Sequence, residues 1–151
     1  MAKRPTGSVG FTLIELLVVI SIIGILVSLS IFGLQGARES SRDARRKADL
    51  ELIRSGLELY KSDCNLYPTG NAIASPLVGD DSTASCLSTN TYIASVPTDP
   101  NDPNRIYVYN SNNGTIYELC ASLEDGPAGT VACGGIDNCG QVDCNYKVVS
   151  P

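Results

Sequence analysis

Chemistry in this chain rests first on six cysteines, Cys64, Cys86, Cys120, Cys133, Cys139 and Cys144, in a sequence without histidine. Zinc would ask for close Cys-x-x-Cys pairs or histidines, and neither is present. An even number of cysteines confined to a small domain reads instead as three disulfides formed in an oxidising space. Cys64 to Cys86 is the favoured first pair, closing a polar loop, and the other four pair near the carboxyl terminus. A second group is the carboxylates of the last third, Glu124, Asp125, Asp137 and Asp143, with Asn138 among them. They are hard oxygen ligands of the kind calcium takes, and nearby glycines allow tight wrapping. The candidates are Asp125, Asp137 and Asp143. No EF-hand spacing occurs and cysteines interleave with the acids, so the preferred reading is solvated turn residues and no cofactor. Catalysis finds no support: the common general base is missing, the cysteines pair, and neither Gly-x-Ser-x-Gly nor a phosphate loop appears, so the chain is read as no enzyme. The third group is one residue, Glu15, the only charge between Phe11 and Leu34. An ionisable group inside such a stretch is costly and marks function.

The elements that must position these residues follow from the pattern. Residues 11–34 form an apolar run long enough to cross a hydrocarbon core of about 30 Å as a helix. In a secretory signal the cleavage site follows the apolar stretch; here the candidate site, at Gly10, precedes it, so the helix is kept and Met1 to Gly10 is a removable leader. No proline occurs from Phe11 until Pro68, and Ala44, Ala48, Leu52 or Ile53, Leu57 and Tyr60 mark one face, so one long helix is expected to about residue 62. Asn65, Pro68 and Gly70 end it. Residues 71–103 read as a polar loop with few regular elements. RIYVYNSNNGTIYELCAS reads as a hairpin turning at Asn113-Gly114, and Tyr146, Val148 and Val149 as a last strand. Asn113-Gly114-Thr115 also matches the N-glycosylation triplet, but the turn explains it better. The seven tyrosines are read as core and surface.

Charge divides the chain more sharply than its net value of −5 suggests. Lys3 and Arg4 precede the apolar run, Arg38 to Lys61 holds seven basic and five acidic residues, and the remainder sets Arg105 and Lys147 against ten acids. A basic start and an acidic far domain favour a cytoplasmic start and an outside head. The basic run Arg42 to Lys47 opposes that orientation, but the cysteines and the leader outweigh it. Asp43, Asp49 and Glu51 interrupt the run, which argues against nucleic-acid binding and for surface pairs or subunit contacts.

The junction GFTLIELLVVISIIGILVSL resembles the type IV prepilin signature shared with the pseudopilins of type II secretion. The resemblance implies cleavage by a prepilin peptidase between Gly10 and Phe11, N-methylation of Phe11, and an assembly role for Glu15. It implies a single-pass membrane protein with its head outside the cytoplasm, drawn by an inner-membrane assembly platform into an extracellular helical filament of identical subunits. SVPTDPNDPNRIYVYNSNNGTIYELCASLEDG is similar in order to the major pseudopilin head, a region where those proteins bind calcium. Two features depart from the family pattern. A proline common in that helix is absent, Phe32 standing there with Gly33 and Gly36 beside it, so local melting would start at the glycines and Ser28 or Ser30. The six cysteines are also more than that subfamily carries.

The expected fold is α+β, a pilin fold: leader 1–10, transmembrane and assembly half-helix 11–34, amphipathic half 35–62, and a disulfide-stapled head 63–151 built on a small antiparallel sheet. The first functional reading is a structural subunit of a type IV pilus-like filament. The alternative is a major-type pseudopilin of a type II secretion system, and a third is a membrane-tethered binding module.

Overall fold

A computed structural model describes residues 10–151, except for the side chain of Phe32. The expected leader, as far as residue 9, lies outside the described residues. One long helix, α1 (Leu13–Cys64), is followed by five short strands: β1 (Leu77–Val78), β2 (Thr91–Ile93), β3 (Val108–Asn110), β4 (Glu118–Ala121) and β5 (Tyr146–Val149). The architecture is α+β, as the pattern requires. Two compact units are present, one up to Arg38 and one from Glu39 to Pro151.

The helix ends where the sequence says it should. Asn65 takes a left-handed conformation (φ 66°) and donates its N–H to the Lys61 carbonyl at 2.8 Å, a helix stop that asparagine tolerates better than most residues. Within the second unit the buried face of α1 is Asp43, Arg46, Leu50, Ile53, Leu57, Tyr60 and Cys64, spaced alternately three and four residues apart. Ile53, Leu57 and Tyr60 lie on the face as expected, but its first half is displaced: Ala44, Ala48 and Leu52 are exposed. The cause is that the first turns of the buried stripe are charged, so an apolar pattern started at alanines lands on the wrong side.

The stripe packs into a core with Tyr67, Leu77, Ile93, Tyr109, Tyr117, Leu119, Ala121 and Val148. Tyrosine rings meet edge to face, Tyr67 on Tyr117 at 4.7 Å and Tyr60 on Tyr92 at 5.3 Å, the arrangement that the ring quadrupoles favour. Glu58 accepts hydrogen bonds from the Tyr67 and Tyr117 hydroxyls at 3.0 and 3.2 Å, so the polar ends of both buried rings are satisfied. At Gly56, beside this stripe, an added Cβ would lie 2.6 Å from Ile93 Cδ1, which leaves room for no side chain.

The main sheet is antiparallel in the order β3-β4-β5, with Val108 opposite Cys120 and Leu119 opposite Val148. The hairpin expected around Asn113-Gly114 exists as the β3-β4 pair, but a two-residue turn does not close it. Asn110 pairs with Glu118, and residues 111–117 form a longer loop. Ser111 exchanges both backbone hydrogen bonds with Gly70, and the Tyr67 N–H donates to the Gly114 carbonyl at 2.7 Å. The loop therefore spends its hydrogen bonds on the segment after α1, which is why the turn dipeptide does not pair the strands beside it. The polar loop of residues 71–103 contains one small addition, the antiparallel pair β1-β2.

Three disulfides staple the second unit: Cys64 to Cys86, Cys120 to Cys133 and Cys139 to Cys144. The first is the favoured pair of the sequence reading, and the others join the four carboxyl-terminal cysteines. Cys133, Cys139, Cys144 and Cys120 form with Val108 a second, smaller core beneath the Gly-rich loop.

Candidate functional site at the N-terminal junction and its ionic counterpart in the head

Gly10 and Phe11 precede α1, and the Phe11 ring is 90% exposed. A Cβ added at Gly10 would meet nothing within 4 Å, so the chain itself does not require glycine there. From Leu13 through Leu34 the apolar side chains whose burial is described are exposed, and the most apolar window of α1 buries nothing inside the protein. Its hydroxyls do not need water: Ser21, Ser28 and Ser30 donate to the carbonyls of Leu17, Ile25 and Leu26 at 2.8, 2.8 and 2.9 Å. Such back-bonding suits a helix with a lipid environment. α1 runs through Gly33 and Gly36 without a break.

Glu15 is not a bare charge. The Thr12 N–H and hydroxyl both donate to Glu15 Oε2, at 2.9 and 2.7 Å, and the Glu15 N–H donates to Thr12 Oγ1 at 3.3 Å. This is a capping box, in which Thr12 caps the helix and the acid three residues later reaches back to it. Thr12 is the residue that the sequence reading missed. Its signal was available, since Thr12-Leu13-Ile14-Glu15 is the Thr-x-x-Glu pattern in front of an apolar run.

The second unit carries its own concentration of charge. Arg46 is fully buried in side chain and lies between three carboxylates: Asp99, which takes Nε at 2.7 Å, Asp43 at 2.6 Å and Glu124 at 2.9 Å. Arg42 donates to both oxygens of Glu124 in a fork. Asp43 turns its carboxylate to the N–H groups of Glu124 and Asp125. Hydrogen bonds from Arg42, then from Arg46, outweigh burial and hold the Glu124 carboxyl down at about 2. Burial works to raise Asp43, but the two backbone N–H donors and Arg46 prevail and leave it lowered. Opposing acids likewise keep Arg46 protonated despite its burial. Nearby, the Tyr107 hydroxyl donates to Asp49 at 2.8 Å. Two of the four cations of the basic run, Arg42 and Arg46, are thus used inside the fold. Arg45 lies 3.8 Å from Asp49, and Lys47 sits over the Tyr146 ring.

Asp125, Asp137 and Asp143 are not gathered. Asp125 uses its N–H on Asp43, the Asp137 carbonyl accepts from the Cys144 N–H at 2.7 Å, and the Asp143 carboxylate accepts from Thr130 at 3.4 Å. Glu124 is committed to two arginines. Among the described residues the close cluster of possible metal ligands is Cys64, Asp80 and Cys86, whose sulfurs are joined to each other. Among the described residues Asp125, Asp137 and Asp143 do not form a close group of ligand atoms.

Comparison with known proteins separates the two filament readings. The model of a prokaryotic N-terminal methylation motif matches residues 10–33. Residues 34–137 match the family model of type II secretion system protein G. Type II secretion system core protein G of Escherichia coli K12 is 35% identical over 125 residues, covering 80% of this chain and 85% of the relative. The protein of the same name in Vibrio cholerae is 31% identical over 134 residues, covering 86% and 92%. No solved structure matches the chain. The pseudopilin alternative therefore fits better than the surface pilus that the sequence reading put first. A match over most of the head, joined to the methylation motif ahead of it, establishes that this chain belongs to the type II secretion system protein G family.

Proposed function

We propose that the protein is the major-type pseudopilin of a type II secretion system, a structural subunit and not a catalyst. The observation that carries this reading is the protein G match over residues 34–137 in a chain that opens on the methylation motif. In this account a prepilin peptidase cuts between Gly10 and Phe11 on the cytoplasmic side and methylates the new amine. The segment 11–34 anchors the subunit with its head on the periplasmic side, and an assembly platform in the inner membrane draws it into a homo-oligomeric filament.

The geometry at the junction supports a role for Glu15 in that step. Before assembly its carboxylate is hydrogen-bonded by the two Thr12 donors, which lowers the cost of an acid in an apolar segment. Cleavage creates an amine at Phe11, a stronger partner than a hydroxyl. When helices pack side by side, the carboxylate of one subunit pairs with the amine of the next, and the pair is strongest where water is scarce. Glu15→Val tests this. The variant inserts and is processed, but secretion of the system's substrates fails and no filament forms on overexpression. Processed Glu15→Val subunits that build filaments of normal number and length would sink the assembly role. Wild-type chain retaining Met1 or Ala2 beside an active prepilin peptidase would sink the processing step, which Gly10→Val should block.

A further inference from the structure

The loop 111–117 holds a dipeptide with its own reactivity, Asn113-Gly114, on which the proposed assembly role does not draw. Asn113 and Thr115 are exposed. Gly114 sits between them at φ +73°, where an added Cβ would come within 2.9 Å of the Tyr67 carbonyl oxygen. Both the conformation and the packing require glycine; the residue is buried between its exposed neighbours, and no side chain of its own covers the Gly114 nitrogen. Among the described residues that N–H has no hydrogen-bond partner. The Asn113 side-chain carbonyl oxygen, by contrast, accepts from the Thr115 hydroxyl at 2.7 Å and from the Thr115 N–H at 3.2 Å.

We propose that Asn113 is a self-modification site, at which the folded loop promotes deamidation to a carboxylate with Thr115 as the assisting residue. The Gly114 nitrogen attacks Asn113 Cγ, forming a C–N bond. Its proton passes through solvent to the departing side-chain nitrogen, which leaves as ammonia. A five-membered succinimide results. Water then adds to one of its two carbonyls, reopening the ring as aspartate or, through the main-chain carbonyl, as isoaspartate. The net change is amide and water to acid and ammonia, and nothing is oxidised or reduced. Negative charge develops on the Asn113 oxygen during attack, and two donors already point at that atom, the arrangement that stabilises an oxyanion. In the aspartate product the side-chain carboxylate keeps both donors.

The two products load the loop differently, because it is fixed at Ser111 to Gly70 and at Gly114 to Tyr67. An aspartate leaves the backbone between those anchors unchanged in length, whereas an isoaspartate adds a methylene to it.

The test uses the full chain in detergent micelles, held in mildly alkaline buffer and sampled over time by digestion and mass spectrometry. A synthetic peptide of residues 110–118 gives the rate for the unfolded sequence. Conversion at Asn113 is expected to outrun that of every other asparagine in the protein and to be at least as fast as in the peptide. Thr115→Val should slow it roughly two- to ten-fold, as for loss of one exposed hydrogen bond, and Thr115→Ser should restore it. An intact amide at position 113 after the peptide has converted overturns the proposal. A Thr115→Val protein that converts as fast as wild type, or faster, removes Thr115 from it.

Discussion

Replacing Arg46 by methionine leaves Asp43, Asp99 and Glu124 facing one another inside the head with Arg42 as the remaining nearby cation. The Arg46 side chain has no exposure and Asp99 has none, so water does not take over the lost interactions. Removing one partner of a buried ion pair costs about 3–5 kcal/mol, because the remaining charge is stranded. A domain of this size is stable by roughly 5–15 kcal/mol, so the variant sits near the edge of folding. With about 4–8 °C of melting temperature per kcal/mol at the smaller end of domain size, and less for larger domains, the fall should exceed about 10 °C. Thermal unfolding of the full chain in detergent, followed by near-ultraviolet circular dichroism, reads the tyrosine packing of the head directly. Arg46→Lys keeps the charge but not the planar fork that serves Asp99 through two nitrogens, and should fall between methionine and wild type. Arg42→Met, at a side chain one-third exposed, should lose less than either. A melting temperature for Arg46→Met within a few degrees of wild type would refute the reasoning, as would an Arg42 variant less stable than the Arg46 one.

Acid should weaken the same network. The folded Glu124 carboxyl lies at about 2 against an ordinary value of 4.5, so the unfolded chain binds more protons between them; its stabilisation is complete above about 4.5 and fades as the pH falls towards 2, which acid titration of the unfolding midpoint would show, with Glu124→Gln flattening that limb. Leu57→Ala, at a fully buried leucine on α1, should destabilise the head by about 2–5 kcal/mol in denaturant unfolding. Gly56→Val should cost about 1–3 kcal/mol by forcing Ile93 aside, and Ile93→Ala should relieve part of that loss in the double variant. Removing Cys64–Cys86, with a sequence separation of 22, should cost about 1 kcal/mol more than removing Cys139–Cys144, with a separation of 5, if loop entropy governs both. Equal losses in denaturant melts would point to packing instead.

The sequence made some parts legible for definite physical reasons. An apolar run with one acid and no proline can be little other than a long helix, and Asn65 marks its end because few residues accept a left-handed backbone. Cys64 and Cys86 bracket a polar stretch whose sequence holds few large apolar residues. The buried face of α1 is harder to read, because it begins with Asp43 and Arg46, residues that look like surface until three carboxylates from 43, 99 and 124 are brought together. Only folding supplies that coincidence. The loop at Asn113 misleads for a related reason: a turn dipeptide describes its own backbone, and here that backbone bonds to Tyr67 and Gly70, distant in sequence. Thr12 stands in plain view in a Thr-x-x-Glu pattern. It escapes notice because Glu15 draws attention as a charge and not as a cap.

The first and last fastenings of α1 to the head, on either side of the apolar stripe Leu50, Ile53, Leu57 and Tyr60, differ in kind, and the difference gives the subunit a mechanical direction. At Arg46 the helix is held by charge and hydrogen bonds, while at Cys64, its last residue, it is held by a covalent bond to Cys86. Force applied along the helix from its N-terminal side therefore meets the ionic fastening first. That contact is short-ranged and reversible, so it can yield and re-form, while the covalent tether keeps the end of the helix attached to the loop behind it. Under a transient pull the contacts at Arg46 open before the apolar stripe behind them, and Cys64–Cys86 keeps the far end of the helix attached.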